Sequence, residues 1–327
     1  MNAPSRTLLR TLALAAIASL ACPTSAVAQA QDYPNQTVRI FVPVAPGGPL
    51  DMTGRLLAEH LGQAWSQSAI VENRPGGATL VATKAAAQAR PDGHTLLLTT
   101  SSLSSYSALM KNPGFELAKD LSFISLITRL PQFMAVSADA KLDKVEDIVA
   151  LAKAKPGSLN YGSYGNAIRV MSELTNRALG IKAESISYPG AAPAVQALVR
   201  GDLTYMLESM STLKPLIAGN KLKVLAVAER NRVSTFPEVP TLAELGYKTT
   251  DFGVWYALVG PPGLSTPVTE KINREAVAFT RSARARGVLE PLGFALAAST
   301  PQELRQLALR DEETFVAMAR ALNIQPE

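Results

Sequence analysis

The sequence predicts an α/β protein of two lobes, with helices on the faces of parallel sheets. Apolar segments of strand length alternate with segments of helical periodicity, and this alternation starts twice along the chain. The 327 residues exceed the usual size of one domain, which favours two lobes. Apolar residues make up 47% of the chain and charged residues 18%, which is enough for two buried cores and excludes bulk disorder.

The first lobe begins with a strand at 37–43, where Val38, Ile40 and Val42 alternate with other residues. The loop at 45–49 ends this strand, and a helix follows that Asp51 can cap. The rest of the series, in order, is a strand at 69–71, a turn at 74–77, a helix at 80–89 and a strand at 95–99.

After Pro131 the same pattern starts again. The predicted elements are a helix at 145–154, a strand at 159–161, a helix at 168–179, a strand at 184–187, a helix at 192–200, a strand at 204–207, a helix at 213–218, strands at 222–227 and 254–259, and helices at 266–280 and 301–322. A loop of small residues at 162–166 repeats the strand, loop and helix arrangement of the first lobe.

The amino terminus has the pattern of a secretory signal peptide. Arg6 and Arg10 precede an apolar run at 12–21, and small residues lead up to Ala28. We expect cleavage after Ala28 (signal peptide 1–28), with cleavage after Ala30 as the alternative. The run is too short to cross a bilayer, and no later run reaches 18 apolar residues. These features predict export to the periplasm.

The chain has one cysteine and two histidines. It therefore predicts no internal disulfide, no Cys/His zinc site and no cofactor. Cys22 lies in the leader and is expected to leave with it; in the alternative, Cys22 is the lipidated residue of a lipoprotein. Loss of Arg6 and Arg10 with the leader lowers the net charge from +5 to +3. A positive charge this small does not favour a nucleic acid partner.

Two loops are suited to bind an anion. Gly47 and Gly48 precede a helix, whose first turn offers unpaired N–H groups at the positive end of its dipole. Gly162, Ser163, Gly165 and Asn166 offer the same in the second lobe, with hydroxyl and amide donors. Both loops together predict a cleft for a carboxylate, although each alone is also compatible with an ordinary turn.

Short segments spread along the chain carry a resemblance to a known family. They are Tyr33-Pro34 with Val38-Arg39-Ile40; Val42-Pro43 to Gly48 with Asp51; Val71-Glu72-Asn73-Arg74-Pro75-Gly76; Pro91-Asp92-Gly93; Leu151 to Gly157 with Leu159-Asn160-Tyr161-Gly162-Ser163; Tyr188 with Gly190 and Ala192-Pro193-Ala194; Gly219 to Ala228; Pro237-Glu238-Val239-Pro240-Thr241; Trp255-Tyr256; and Ser299-Thr300-Pro301. Through them the chain resembles the substrate-binding receptors of tripartite tricarboxylate transporters, the TctC or Bug family of periplasmic proteins.

The resemblance implies a type II periplasmic-binding-protein fold, whose two α/β lobes close over a small carboxylate and are joined by crossing strands near Pro131 and Val254. Lobe 1 would comprise 33–132 plus 255–327, and lobe 2 would comprise 133–254. The implied partners are a small organic carboxylate and the membrane subunits of a transporter, and the implied state is a monomer. The implied ligand contacts in lobe 1 are Pro46, Gly47, Gly48, Asp51, Thr100, Ser101 and Ser102.

Departures from the family pattern affect the ligand. Pro49 and Leu50 stand where the family has glycine and threonine, and proline lacks an N–H donor. In the second-lobe loop, hydroxyl donors are replaced by 167–171. Arg169 in this segment either holds a carboxylate or is a surface arginine.

Two further residues are placed at the cleft by the resemblance. Glu208 stands where amino-acid-binding members have an aspartate that meets the ligand ammonium, so it either meets a donor on the ligand or makes a structural hydrogen bond. Tyr256 and Trp255 leave the crossing strand toward the cleft; in the alternative, either ring packs in the core between the lobes, which is favoured more for Trp255 than for Tyr256.

The inventory of catalytic groups is poor, so the sequence predicts no enzyme. His60 is expected to be solvated, and neither His60 nor His94 has an evident partner. The acidic run at 311–313 is expected to be a solvated face, and the residues around Ser163 lack the spacing of a nucleophile elbow. The favoured function is a periplasmic solute receptor, with a ligand sensor for a signalling partner or a periplasmic hydrolase as alternatives.

Overall fold

The computed structural model describes residues 33–164, 166–188, 190–248, 253–321 and 326. The predicted signal peptide, Cys22 and Gly165 lie outside the described residues, as does the side chain of Asn166. Within the described ranges, no helix is both long enough and apolar enough to cross a membrane.

The first part of the chain alternates strands and helices. In chain order the elements are β1 (Val38–Val42), α1 (Pro49–Trp65), β2 (Ala69–Asn73), α2 (Leu80–Ala87), β3 (Thr95–Thr100), α3 (Tyr106–Leu109) and β4 (Ser122–Leu130). Short 3-10 turns at Gly77–Thr79 and Ser101–Ser105 precede α2 and α3.

A second series follows Pro131. It comprises β5 (Gln132–Ser137), α4 (Val145–Ala154), β6 (Asn160–Ser163), α5 (Asn166–Leu179), β7 (Glu184–Ser187), α6 (Ala191–Val199), β8 (Tyr205–Ser209), α7 (Met210–Ala218) and β9 (Leu222–Val227).

The last part of the chain is mainly helical. It comprises β10 (Val254–Gly260), α8 (Thr266–Arg281), α9 (Ala283–Leu289), a 3-10 turn at Glu290–Leu292, β11 (Ala295–Leu296) and α10 (Pro301–Ala321).

The strands form two sheets, with the orders β11-β4-β10-β3-β1-β2 and β7-β6-β8-β5-β9. In the first sheet β1 is parallel to β2 and β3, and in the second β6 is parallel to β7 and β8. The remaining pairs are antiparallel. The two-lobe α/β class is confirmed, but both sheets are mixed where the sequence predicted parallel sheets. Strands β4 and β5, which supply two of the antiparallel strands, were not predicted from the sequence.

The chain crosses between the sheets at two neighbouring points. It leaves the first sheet at the end of β4, and after Pro131 it enters the second sheet as β5. It returns as β10, whose first residue Val254 pairs with Leu130, the last residue of β4. The two crossings therefore lie side by side at a common hinge.

Each sheet is covered on both faces. In β1, the alternating residues Val38, Ile40 and Val42 join a core that α1 and α8 cover, whereas Phe41 joins the core on the other face with α2. The second sheet is similar, because Met134 of β5 packs with α4 and α5 while Phe133 packs with α6 and α7. Alternation of side chains along a strand produces these two cores per sheet.

Helix α10 packs into both lobes. Leu304 and Leu307 near its start belong to a core of the first sheet, and Phe315 and Met318 near its end belong to a core of the second sheet. Between them lies Asp311, which is 4% exposed and accepts a 2.6 Å hydrogen bond from the Trp255 indole. The expectation that Asp311 is solvated is therefore wrong, because its carboxylate is the acceptor for a buried indole N–H.

We predict that Phe315→Ala lowers the free energy of unfolding by about 3–5 kcal/mol, because it leaves a cavity in the second core. Phe315 is fully buried, whereas Glu313, two residues away, is exposed and provides Glu313→Ala as the control. Urea unfolding followed by circular dichroism measures both. Equal stability of the two variants would contradict the packing of α10 against lobe 2.

Candidate functional site

A cavity of about 250 Å³ lies between the two sheets. It is lined by Pro49, Thr100, Ser101, Ser102, Leu130, Gln132, Tyr164, Ala167, Ile168, Ala191, Glu208, Ser209, Thr212, Val254 and Tyr256. The cavity lies at the carboxyl ends of β3 and β8, where open α/β sheets bind their ligands. Its volume is at the small end for ligand sites, which suits a small organic molecule.

The lobe 1 wall is built where β3 ends. The Ser102 N–H donates to Thr100 Oγ1 at 3.2 Å, and this bond turns the chain into the 3-10 segment. Ser105 Oγ donates to Ser102 O at 2.7 Å and holds the segment closed. Ser101 is fully buried, and its hydroxyl has no hydrogen-bond partner among the residues described. It can therefore serve a ligand.

The lobe 2 wall is built around Glu208 at the end of β8. The side chain is 2% exposed and accepts hydrogen bonds from Tyr164 Oη at 2.5 Å, from Ser209 N at 2.7 Å and from Ser209 Oγ at 2.8 Å. Burial raises the pKa of Glu208, and these hydrogen bonds oppose that rise without cancelling it.

The two tyrosines at the cavity remain protonated over the physiological range. Burial first, and then the nearby Glu208 carboxyl, raise the pKa of Tyr164 and of Tyr256. Tyr256 on β10 and Glu208 on β8 line the same cavity from the two sheets.

Gln132 occupies the crossing itself. It is 2% exposed, and its Nε2 donates to Leu130 O at 2.9 Å. This bond assigns the amide orientation, since the opposite orientation would place two oxygens together. Its Oε1 has no partner in the part of the chain that the structure describes.

The cavity has an unusual charge pattern. Among its described lining residues Glu208 is the one carboxylic acid, and there is no lysine, arginine or histidine. A carboxylate ligand would thus be held by hydroxyl and backbone donors. No group of three or more His, Cys, Asp or Glu within the described ranges is arranged to hold a metal ion.

The predicted first-lobe loop lies outside the cavity lining except at Pro49. Pro46 and Gly47 are exposed, and the Gly47 N–H donates at 2.9 Å to Asp51 Oδ2, so this donor is already used. Asp51 is buried and also accepts hydrogen bonds from Arg55 and from Asn73 Nδ2. Asp51 therefore joins the loop, α1 and β2.

Asp51 remains ionised in this network. Burial alone would raise its pKa, but hydrogen bonds from Arg55, Gly47 and Asn73, together with the charge of Arg55, hold the pKa of Asp51 below its usual value. Gly48, the residue before α1, provides no side-chain cap, and Pro49 at the first helical position has no N–H to offer.

Gly162 and Ser163 of the second-lobe loop do not line the cavity. A Cβ at Gly162 would lie 2.6 Å from Leu203 Cδ1, so packing explains this glycine. Ser163 Oγ lies 3.0 Å from Ser185 Oγ. Arg169 does not line the cavity but lies beside Tyr161. Burial raises the pKa of Tyr161, and the charge of Arg169 opposes this rise without cancelling it. The loop contributes Tyr164, Ala167 and Ile168 instead.

Of the residues predicted to contact the ligand, Thr100, Ser101, Ser102, Glu208 and Tyr256 line this cavity; their contact with a ligand stays a prediction. Gln132, Tyr164, Ser209 and Thr212 also line it and were not predicted from the sequence. Their positions offered a signal, because Gln132 follows the predicted crossing at Pro131, and Ser209 and Thr212 follow Glu208.

Both histidines lie outside this cavity, and both have acidic neighbours. His60 Nε2 is 3.5 Å from Glu275 Oε2, and its ring contacts Phe279. His94 Nδ1 is 3.3 Å from Asp92 Oδ1. Neither ring nitrogen forms a hydrogen bond with its carboxylate neighbour among the described residues, although each lies within 4 Å of it.

Comparison with known proteins gives consistent results. The family model described as tripartite tricarboxylate transporter family receptor matches residues 53–324. Protein BugT of Bordetella pertussis is 31% identical over 290 residues, which cover 88% of this chain and 86% of BugT. A structure of an R. palustris protein with adipate is 25% identical, with a TM-score of 0.79, covering 90% of this chain and 100% of that one. MatC from Rhodopseudomonas palustris with bound malate is 26% identical, with a TM-score of 0.73, covering 87% and 99%.

We predict that Asp51→Asn weakens the acid sensitivity of folding. A lowered pKa contributes stability above the unfolded value, near 3.9, and this stability is lost as pH falls through the lower folded value. Urea unfolding at pH 6 and near pH 3 should show a smaller loss for Asp51→Asn than for wild type. Asp139 is exposed, and Asp139→Asn should follow the wild-type profile. Matching profiles for all three proteins would contradict the role of Asp51.

Proposed function

The chain belongs to the tripartite tricarboxylate transporter receptor family, and on this premise we propose that it is a periplasmic receptor that delivers a small organic carboxylate to the membrane subunits of such a transporter. The observation that carries the proposal is the cavity between the two sheets, whose walls come from both lobes. Related structures with adipate and with malate support a carboxylate as the ligand.

We propose the lobe boundaries 33–132 plus 255–327 for lobe 1 and 133–254 for lobe 2. The strand orders support these boundaries, because within the described residues the strands change from one sheet to the other only after Pro131 and again before β10. Binding then proceeds by rotation of the lobes about the paired crossings. A ligand favours the closed form only if it touches both walls at once.

Ligand recognition in this proposal uses two kinds of donor in lobe 1. Ser101 supplies a hydroxyl with no other described partner, and the first turn of α1 behind Pro49 supplies N–H groups at the positive end of the dipole. Asp51 acts as a positioning residue that holds Gly47 and α1 together. Contacts from Gly162, Ser163, Gly165, Asn166 and Arg169 remain predictions.

Export and delivery complete the proposal. The leader 1–28 directs the chain to the periplasm, where the mature protein acts as a monomer. The family is one of receptors, so the proposed role is transport without chemical conversion of the ligand.

We predict that the purified mature protein carries or binds a small carboxylate, which native mass spectrometry and a thermal-shift panel of carboxylates identify. Ligand at about 100 times its Kd should stabilise the fold by about 2.7 kcal/mol. Small-angle scattering should show compaction with that ligand. Binding without compaction would contradict closure, and the absence of any carboxylate ligand would contradict the proposed function.

The adjacent residues Ala191 and Ala192 provide a matched pair of variants. Ala191 lines the cavity, whereas Ala192 is exposed and does not line it. We predict that Ala191→Phe fills the cavity and abolishes the ligand-induced shift in Tm, while Ala192→Phe retains it. Equal binding by both variants would place the ligand elsewhere.

A further inference from the structure

One turn of lobe 1 is packed tightly against lobe 2. Gly293 follows the 3-10 turn at Glu290–Leu292, just before β11 of the first sheet, and has a φ of +85°. Met210 begins α7 and belongs to a core of the second sheet, against which Phe236 also packs. A Cβ placed on Gly293 would lie 2.8 Å from Met210 Cβ and 3.2 Å from Phe236 Cε2. The turn therefore reaches lobe 2 only because Gly293 has no side chain.

The nearest atom of lobe 2 cannot move alone. Met210 Cβ is bonded directly to the main chain of α7, so a contact of 2.8 Å is relieved only by a shift of the helix or of the turn. Carbon atoms pack at about 3.5–4.0 Å, which requires a displacement of about 1 Å. Lys214 of the same helix also donates from Nζ to Pro291 O at 3.1 Å. The turn and α7 thus form one contact between the lobes.

This contact is adjacent to both walls of the ligand cavity. On the lobe 2 side, Ser209 immediately precedes Met210 and lines the cavity. On the lobe 1 side, Phe294 follows Gly293, and its ring lies against the ring of Tyr256, a lining residue, with 6.2 Å between the ring centroids. A separation at Gly293 therefore increases the distance between the Ser209 wall and the Tyr256 wall.

We propose that Gly293 is a positioning residue, which sets how closely the two lobes approach each other and thereby the length of ligand that the cavity accepts. The turn limits closure where it meets α7, and the absence of a side chain at Gly293 permits the closest approach. A side chain at this position would hold Ser209 farther from Tyr256 and widen the cavity of about 250 Å³. This inference rests on the proposed function, since it concerns the ligand that the lobes enclose.

Gly263 provides a matched control for the backbone. It has a φ of +83°, in the same left-handed region as Gly293, but a Cβ there would meet no heavy atom of a non-adjacent residue within 4 Å in the described chain. Gly293→Ala and Gly263→Ala carry the same cost of a left-handed backbone, whereas only Gly293→Ala contacts lobe 2. The difference between the two variants therefore isolates the contact between the lobes.

The test measures Kd by calorimetry for straight-chain monocarboxylates and dicarboxylates of three to six carbons, with wild type and both variants. We expect Gly293→Ala to shift the ratio of affinities toward the longer acids by at least about tenfold, and Gly263→Ala to retain the wild-type ratio. A purely structural role for Gly293 would lower stability and leave the ratio unchanged. An unchanged ratio in a folded Gly293→Ala protein, or a shift toward the shorter acids, would overturn the proposal.

Met210→Gly removes the atom that Gly293→Ala would approach most closely. We therefore expect the double variant to recover the affinity ratio of Met210→Gly alone. The same proteins form a double-mutant cycle for stability in urea. Gly293→Ala should lower the urea midpoint more in the wild-type background than in the Met210→Gly background, whereas Gly263→Ala should lower it equally in both. Absence of coupling between Gly293→Ala and Met210→Gly would overturn the proposal.

Lys214→Met is a second variant, for use if Gly293→Ala does not fold. Lys214 is exposed, and its replacement removes the hydrogen bond to the turn without adding an atom to the contact. Because the lobes then separate more easily, we expect a shift of about two- to threefold toward the longer acids. Lys221 is also exposed, and Lys221→Met should retain the wild-type ratio. An unchanged ratio with Lys214→Met would then overturn the proposal.

A failure of the proposed function can be told apart from a failure of this inference. If wild type binds an acid and Gly293→Ala leaves the affinity ratio unchanged, the receptor function stands and the role of Gly293 falls. If wild type binds none of the acids, the result counts against the proposed function. The urea cycle needs no ligand and then decides on the contact, since coupling supports it and additivity overturns it.

Discussion

The pairing of β4 with β10 is the constraint on which the rest of the molecule depends. Leu130 and Val254 are partners in this pair, so the two crossings between the sheets are held next to each other. These two short, adjacent connections form the hinge of the proposed lobe closure. Leu130, Gln132, Val254 and Tyr256 all line the cavity, which therefore forms where the relative positions of the lobes are best defined.

Helix α10 adds a third link between the lobes. It is continuous from Pro301 to Ala321 and contributes apolar side chains to a core in each lobe. At its middle, the bond from the Trp255 indole to Asp311 ties it to the crossing strand β10. A buried indole N–H needs an acceptor, so this bond fixes the helix at the hinge. Motion of the lobes then has to be accommodated by the packing of lobe 2 against the end of α10.

The electrostatics of the cavity follow from its position at strand ends. Hydroxyl donors come from the 3-10 turn after β3, and the acid comes from the end of β8. In a site with no basic residue among its described lining, a carboxylate ligand depends on directed hydrogen bonds instead of a salt bridge. Such a site discriminates ligands by where their donors and acceptors lie, because each unpaired buried group weakens binding.

Local patterns in the sequence determined most of the regular elements and the α/β class. The alternation of Val38, Ile40 and Val42 and the spacing of Leu57 and Leu61 are imposed by neighbours a few residues away, so they are visible without the fold. The sequence also determined five of the residues that line the cavity, through the resemblance to the family. It did not reveal β4 and β5, because the residues of β5 and most of β4 are buried and show no alternation.

Only the tertiary structure decided which polar groups are already used. Asp51 of α1 is engaged by Asn73 of β2, Asp311 by Trp255, and Gln132 by the carbonyl of Leu130. The first two bonds join residues distant in sequence, and the third forms at a crossing whose pairing is itself long-range. Whether a side chain is free for a ligand depends on such contacts, which local periodicity does not encode.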